Sequence, residues 1–390
     1  LRQPHRHHDS LSETKTAGVR ADSGAPSGTG GRNVVQLYEV ARTAHLERIA
    51  DTDGVTLLYR EKRYDFDERV ADGVRVERAG LIGAAWYAAT HAVDLVEVNE
   101  PLVTRAALRS LLFIGAARVR AFLTRRPRPT VVTYAIANVP TSTLRANLPW
   151  KARVKFELQR PLARRVARSL DRIAFGTPDA RDLYRDEFGS TRRGAARLVE
   201  ALPVAVDLGA SADVARPPSI LFLGDLAARK GFPDVMAAWS QVRDTIVQAR
   251  LVIVGRGDGV EQARLLSEAD PRVELFVAPP RDVILDQLAC AKVLVLPSRR
   301  RPLWKEQIGL PLVEGLAYGC VVVTTDETGI APWLRAHEHA VVPEAQITER
   351  LAGAMIDALR LSVTPGDVQR ALPDRDGRTA AREWLYGIEG

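Results

Sequence analysis

Residues 297–325 read PSRRRPLWKEQIGLPLVEGLAYGCVVVTT, and no other stretch of the chain constrains the fold as tightly. One apolar run, Val293–Leu296, ends just before it, and another, Val321–Thr325, closes it. Between them stand Glu306 and Glu314, eight residues apart, with Gly309, Leu310 and Pro311 in the interval. Pro311 suits the first position of a helix, where no amide donor is needed and its φ is already helical. A helix is therefore expected over Leu312–Tyr318, with Glu314 in its first turn. A helix N-terminus carries open amides and partial positive charge, a natural seat for a diphosphate. The expected arrangement is two carboxylates beside an anion site, at the C-terminal edge of a parallel sheet.

Outward from this unit, the same rhythm repeats. Strands are expected at Ile220–Leu223, Leu251–Val254, Val273–Val277, Val293–Leu296, Val321–Thr325 and Ala340–Val342. Helices are expected at Pro233–Val247, Val260–Ser267, Arg281–Ala289 and Thr348–Leu361. The first half is fainter, with strands at Val34–Tyr38, Val55–Tyr59, Leu95–Val98, Thr130–Tyr134 and Arg172–Phe175, and helices at Val40–Ile49, Leu102–Phe122 and Trp150–Ser169. Near-continuous Val/Ile/Leu strands separated by helices mean parallel sheets covered on both faces. The fold class is α/β: two doubly wound, Rossmann-like domains facing a cleft, where ligands of such folds bind. A stretch without periodicity at Asp207–Pro218 divides them. The expected organisation is a disordered tail at 1–32, a first domain at 33–207, a second at 208–375, and a helix at 376–390 packing back on the first domain.

The 390 residues suit two cores. No apolar run spans a bilayer and no leader pattern stands at the start, so a cytoplasmic location is expected. Cys290 and Cys320 are the only cysteines, expected as small buried side chains rather than a disulfide or metal pair. The charge is uneven. Residues 101–170 hold fifteen Lys or Arg against one acid, Glu157, in a chain of net +7. Such a field implies an acidic partner. Arg alternates with apolar residues along Leu102–Phe122, and Trp150, Phe156 and Leu158 interleave with Lys151, Arg153 and Lys155. That pattern suits a peripheral site on an anionic membrane surface. No nucleic-acid-binding module accompanies it. His5, His7 and His8 read as tail residues, and Asp51-Thr52-Asp53 as a turn rather than a metal motif.

Around Glu306 and Glu314 the chain resembles the retaining glycosyltransferases of the GT-B fold, the large family four. Their signature is Glu, seven residues, Glu, usually around Phe-Gly-Leu-Pro; Ile308 stands at the Phe place. Leu221-Phe222-Leu223-Gly224 with Arg229-Lys230-Gly231 is similar to the opening of the family's donor domain, and Ile253-Val254-Gly255-Arg256-Gly257-Asp258-Gly259 to its second strand and glycine turn. The resemblance covers residues 200–360 well and the first half in layout only. It implies that Lys230 neutralises a donor diphosphate together with amides near Gly309–Val313, at the helix start, where Gly309, Leu310 and Pro311 line the nucleotide site. It implies that Glu314 holds the ribose, Glu306 grips the donor sugar, the segment Phe276-Val277-Ala278 lies against the base through backbone atoms, and Gly255 belongs to the nucleotide site. Lys230 and the helix terminus supply the charge a metal otherwise would, so no metal and no cofactor is implied.

Two departures stand out. Asp225 occupies a place where an Arg often binds the diphosphate, leaving Arg229 to substitute. No His stands at a first-domain strand end, and Glu39 and Arg42 replace the glycine-rich first turn. Asn99, Glu100, Tyr134 and Asn138 are then the candidates to orient an acceptor. The implied function is transfer of a sugar from a nucleotide-sugar donor to a hydroxyl acceptor, glycan or lipid-linked, with retention of configuration. The alternatives are a nucleotide-sugar epimerase of the same architecture and a non-catalytic partner of an active transferase.

Overall fold

The computed structural model describes residues 31–49, 54–63, 66, 75–189 and 194–388. The tail with His5, His7 and His8, and Asp51-Thr52-Asp53, lie outside them.

The first half runs β1 (Val34–Ala41), α1 (Thr43–Ile49), β2 (Val55–Lys62), β3 (Arg75–Arg78), α2 (Leu81–Thr90), β4 (Leu95–Val98), α3 (Ala107–Leu123), β5 (Thr130–Ala135), α4 (Thr141–Asn147), α5 (Trp150–Ser169), β6 (Arg172–Phe175), α6 (Pro178–Phe188) and β7 (Ala195–Leu198). The second half runs β8 (Ser219–Asp225), α7 (Phe232–Thr245), β9 (Arg250–Arg256), α8 (Val260–Ala269), β10 (Val273–Val277), α9 (Arg281–Cys290), β11 (Val293–Leu296), α10 (Leu310–Ala317), β12 (Val321–Thr325), α11 (Ala331–Ala336), β13 (Ala340–Val342), α12 (Ile347–Arg360) and α13 (Pro365–Gln369). A last helix, α14 (Gly377–Tyr386), follows.

Two sheets form, both parallel throughout. The first has the order β3-β2-β1-β4-β5-β6-β7, the second β10-β9-β8-β11-β12-β13. Their central strands are mostly apolar. Every residue of β4, β11 and β12 is buried, as a strand covered on both faces requires. In each sheet the chain reverses its winding at one point, β1/β4 in the first and β8/β11 in the second. Crevices outside the C-terminal strand ends at such points are where open α/β sheets take ligands.

Some expectations shift. The helix expected at Val40–Ile49 starts at Thr43, because β1 continues to Ala41. That expected at Leu102–Phe122 opens with a 3-10 turn, Thr104–Ala106. The helix after Gly309 begins at Leu310, so Pro311 is its second residue and Glu314 its fifth, beyond the first turn. Cys320 is buried, but Cys290 is exposed at the end of α9. Arg109, counted in the basic block, is buried and donates to the Tyr38, Leu58 and Ala79 carbonyls. Phe156 is buried as well.

Helix α14 crosses back onto β5 and β6 of the first sheet. The buried Tyr386 hydroxyl donates to Glu97 (2.7 Å) and accepts from Gln36 (3.0 Å). Arg172 donates to the Trp384 and Leu385 carbonyls at the helix end, where open C=O groups and the macrodipole favour a cation. No helix among the described residues is long and apolar enough to cross a membrane.

Candidate active site

A cleft of about 1010 Å³ opens where the two crossover points face each other. Of the residues singled out from sequence, Arg229, Lys230, Glu306, Gly309, Leu310 and Pro311 line it from the second domain, and Asn99, Glu100 and Tyr134 from the first. Asn138, Glu314, Val277 and Gly255 do not line it.

Lys230 reaches the cleft from a tight turn after β8. Gly231 makes that turn possible with φ of 70°, and a Cβ there would collide with the Pro297 carbonyl. Only glycine takes both demands without strain. The turn therefore presses Lys230 against the loop after β11, where its ammonium forms an ion pair with Glu306. Ser298 donates to the same carboxylate oxygen at 3.0 Å. Both charged side chains are only about a tenth exposed, at 12% and 11%, so the pair is screened far less than a surface one. Lys230 and Arg229 also lie 5.2 and 5.0 Å from the Trp304 ring centroid, within cation–π range.

Gly309 caps α10 in a left-handed conformation (φ 81°, ψ 81°), a geometry that suits glycine. The start of α10 lines the cleft beside Lys230; Pro311 has no N–H, and the Leu312 and Val313 amides donate to the Gly309 carbonyl, so the helix's positive end acts there mainly through the Leu310 amide and the macrodipole. Asp225 is not a bare carboxylate facing that seat: Arg229 pairs with it. The two charges offset each other, so the repulsion expected from Asp225 is met locally. Arg229, in turn, is not an unengaged diphosphate ligand. Glu314, in the second turn of α10, pairs with Arg281 of α9 at 2.7 Å. Val277 ends β10 and is half exposed, and Ala278 after it donates its amide to the Gly255 carbonyl at 3.0 Å.

The first-domain candidates are mostly bound into the scaffold. Asn99 accepts from the Glu39 amide (2.8 Å), bridging the β1 and β4 ends. Glu100 is buried and accepts from the Ile136 and Ala137 amides and the Tyr184 hydroxyl. Burial pushes its carboxyl up to about 7 despite those three donors. Asn138 donates to the backbone carbonyl of Glu306 at 2.7 Å, across the domain boundary.

Sequence reading missed other cleft residues. His45 faces the cleft from α1, its ring 4.6 Å from that of Tyr38. No strand end carries it, so a search for histidine at strand ends passed over it. Arg378, Thr379 and Arg382 reach the cleft from α14. The i, i+4 spacing of the two arginines on a helix was the available signal. Trp304 lines the cleft beneath the two cations; its role became visible only when the β11 loop met the β8 turn. Among the described residues, no three of His, Cys, Asp and Glu converge as a metal-ligand set.

Residues 217–360 match the family described as Glycosyl transferases group 1. The chain is 26% identical over 267 residues to a GDP-mannose-dependent alpha-(1-6)-phosphatidylinositol monomannoside mannosyltransferase of Mycobacterium tuberculosis. That alignment covers 64% of this chain and 66% of the relative, just under two thirds of its length. Among solved structures it is similar to WaaG, a glycosyltransferase involved in lipopolysaccharide biosynthesis (TM-score 0.57, 14% identity, 92% of this chain and 100% of that one). It is also similar to Anabaena HepE in complex with UDP (TM-score 0.62, 13% identity, 91% and 96%). The shared architecture is two parallel α/β sheets facing one cleft. Residues 217–360 thus match the glycosyl transferases group 1 family, in a chain with the GT-B fold.

Proposed function

We propose that this chain transfers a sugar from a nucleotide-sugar donor to a hydroxyl acceptor, with retention of anomeric configuration. The observation that carries the proposal is the convergence of Lys230, Glu306 and the start of α10 between the two crossover points. The donor diphosphate sits between Lys230 and the N-terminal end of α10 at Leu310. As the sugar–phosphate bond breaks, these groups stabilise the charge that develops on the leaving oxygen. In this reading they carry the charge that a metal carries elsewhere. When the donor binds, Lys230 exchanges Glu306 for phosphate, and Glu306 turns to the hydroxyls of the donor sugar. Glu314 holds the ribose, exchanging Arg281 for it.

Retention follows from reaction on one face. The anomeric carbon loses the phosphate oxygen and gains the acceptor oxygen on the same side, and the acceptor proton passes to the leaving phosphate. The Asp225–Arg229 pair removes the one charge conflict that favoured a non-catalytic role.

The donor classes to test come from the relatives, GDP-mannose and UDP-glucose. The acceptor in this proposal is membrane-borne. Helices α2, α3 and α5 expose Ile82, Trp86, Phe122, Trp150 and Leu158, each at least 69% accessible. Leu108, Leu112, Val119 and Phe122 form an exposed i, i+4, i+11, i+14 stripe on α3. Lys151, Arg153 and Lys155 flank Trp150 and Val154. Apolar side chains ringed by cations fit an anionic lipid surface. The location in this reading is the cytoplasmic face of a membrane, held peripherally.

The test is turnover of each sugar nucleotide with a lipid extract as acceptor, followed by NMR of the product linkage. A product with the donor's anomeric configuration supports the proposal. Epimerised donor without transfer, or an inverted linkage, overturns it.

A further inference from the structure

Glu306 is held from both sides of the domain boundary. On its own side Lys230 and Ser298 hold its carboxylate. On the other, Asn138 holds its backbone carbonyl (2.7 Å), and Asp179 at the start of α6 pairs with its neighbour Lys305 (2.8 Å). Asn138 is buried, yet its Oδ1 has no hydrogen-bond partner. Its amide is therefore aimed by one hydrogen bond and by the backbone that carries it.

That backbone is fixed by acidic side chains. The Glu100 Oε2 accepts from the amides of Ile136 (3.2 Å) and Ala137 (3.0 Å), the two residues before Asn138. Glu187 of α6 accepts from the Thr141 amide (2.9 Å) and hydroxyl (2.5 Å) at the far end of the turn. The Tyr184 hydroxyl, also on α6, donates to Glu100 at 3.0 Å. Its ring is seated between Phe175 and Phe188, with centroids 5.4 and 5.3 Å away. So α6 anchors Glu100, Thr141 and Lys305 together.

We propose that Glu100 is a positioning residue for Glu306: its buried carboxylate ties down the 136–137 amides so that Asn138 fixes the Glu306 loop across the domain boundary. The inference rests on the reading of Glu306 as the donor-sugar contact. It departs from the expectation that Glu100 and Asn138 orient an acceptor. A carboxyl raised by burial is a costly way to hold two amides, and a site where geometry decides rate is where such a cost is retained.

The test uses the full chain and the variants Glu100→Gln, Asn138→Ala, their double, and Tyr184→Phe. Hydrogen exchange without ligand reads the coupling directly. Glu100→Gln should speed exchange at 136–138 and also at 304–309, across the boundary. Turnover of GDP-mannose and UDP-glucose, read as nucleotide release, should fall about tenfold to a hundredfold in kcat, with donor KM within about twofold. The double variant should be no slower than Asn138→Ala alone, since Glu100 acts through Asn138. If Glu100→Gln does not fold, Tyr184→Phe, which removes one donor and leaves the carboxylate, should show the same pattern more weakly. Unchanged exchange at 304–309, or a double variant slowed by the product of the single effects, overturns the proposal. If the wild type turns over neither donor, the proposed function fails, while the exchange result still decides this inference.

Discussion

Replacing Glu100 with Gln should change how the stability of the protein depends on pH, and by a calculable amount. The carboxyl is buried, and its pKa rises from 4.5 to about 7. Desolvation is the largest cause; the two amides and the Tyr184 hydroxyl only partly oppose it. Between pH 4.5 and 7 the folded state keeps a proton that the unfolded state has released. Stability therefore falls as pH rises through this window, and the full cost is present above pH 7. A shift of about 2.5 units at about 1.36 kcal/mol each gives a cost of roughly 3 kcal/mol. Gln carries no such titration. Urea unfolding of wild type and Glu100→Gln at intervals from pH 4 to 8.5 tests this. The stability difference between the two should move by about 3 kcal/mol in favour of Gln as pH rises across the window. Curves that stay parallel over the whole range would refute the burial argument.

His339 should give the opposite signature. Burial lowers its pKa to about 4, and its Nδ1 accepts from the Val322 amide. The stabilisation of neutral His339 is present above pH 6.5 and lost as pH falls toward 4, roughly 3 kcal/mol over the window; His339→Asn should flatten that loss in the same titration. Gly231→Ala should destabilise the protein by at least about 1 kcal/mol and weaken donor binding, because the turn that aims Lys230 must open away from Pro297; calorimetry of melting and binding reads both. Replacing Phe122 and Trp150 together by Ser should cut co-sedimentation with phosphatidylglycerol vesicles about tenfold at low salt. Equal binding of both proteins would remove that surface from the membrane proposal.

The fold was legible where one signal dominates. Strand β11 and the start of β12 are short Val/Leu runs between helices, buried along their whole length, and their limits follow from burial on both faces. Strands β3 and β7 read RVER and AARL; as edge strands with largely exposed side chains, they carry no apolar run to find. Helix α6 was not expected from the sequence, although Thr177 caps it, Pro178 stands at its first position, and the residues it buries, Ala180, Leu183, Tyr184 and Phe188, follow a helical period.

The site divides in the same way. The Gly309-Leu310-Pro311 helix start was readable because its chemistry is local. Pairings that join distant elements were not. Asp225 looked like a phosphate-repelling carboxylate until Arg229, four residues on, was placed beside it. Glu314 was set one residue too early, in the first turn, by assigning Pro311 the first helical position. Asn138 was placed near an acceptor, yet it faces the Glu306 backbone 168 residues away. His45 and Trp304 enter the cleft through helix and loop orientation, which spacing alone does not determine.

The most direct test of the central claim is calorimetric titration of wild type and Lys230→Met with GDP-mannose and UDP-glucose. The account predicts that wild type binds one of these donors and that Lys230→Met binds it at least about tenfold more weakly, a loss of about 1.4 kcal/mol or more. Equal affinity in the two proteins, or binding of neither donor by wild type, would contradict it.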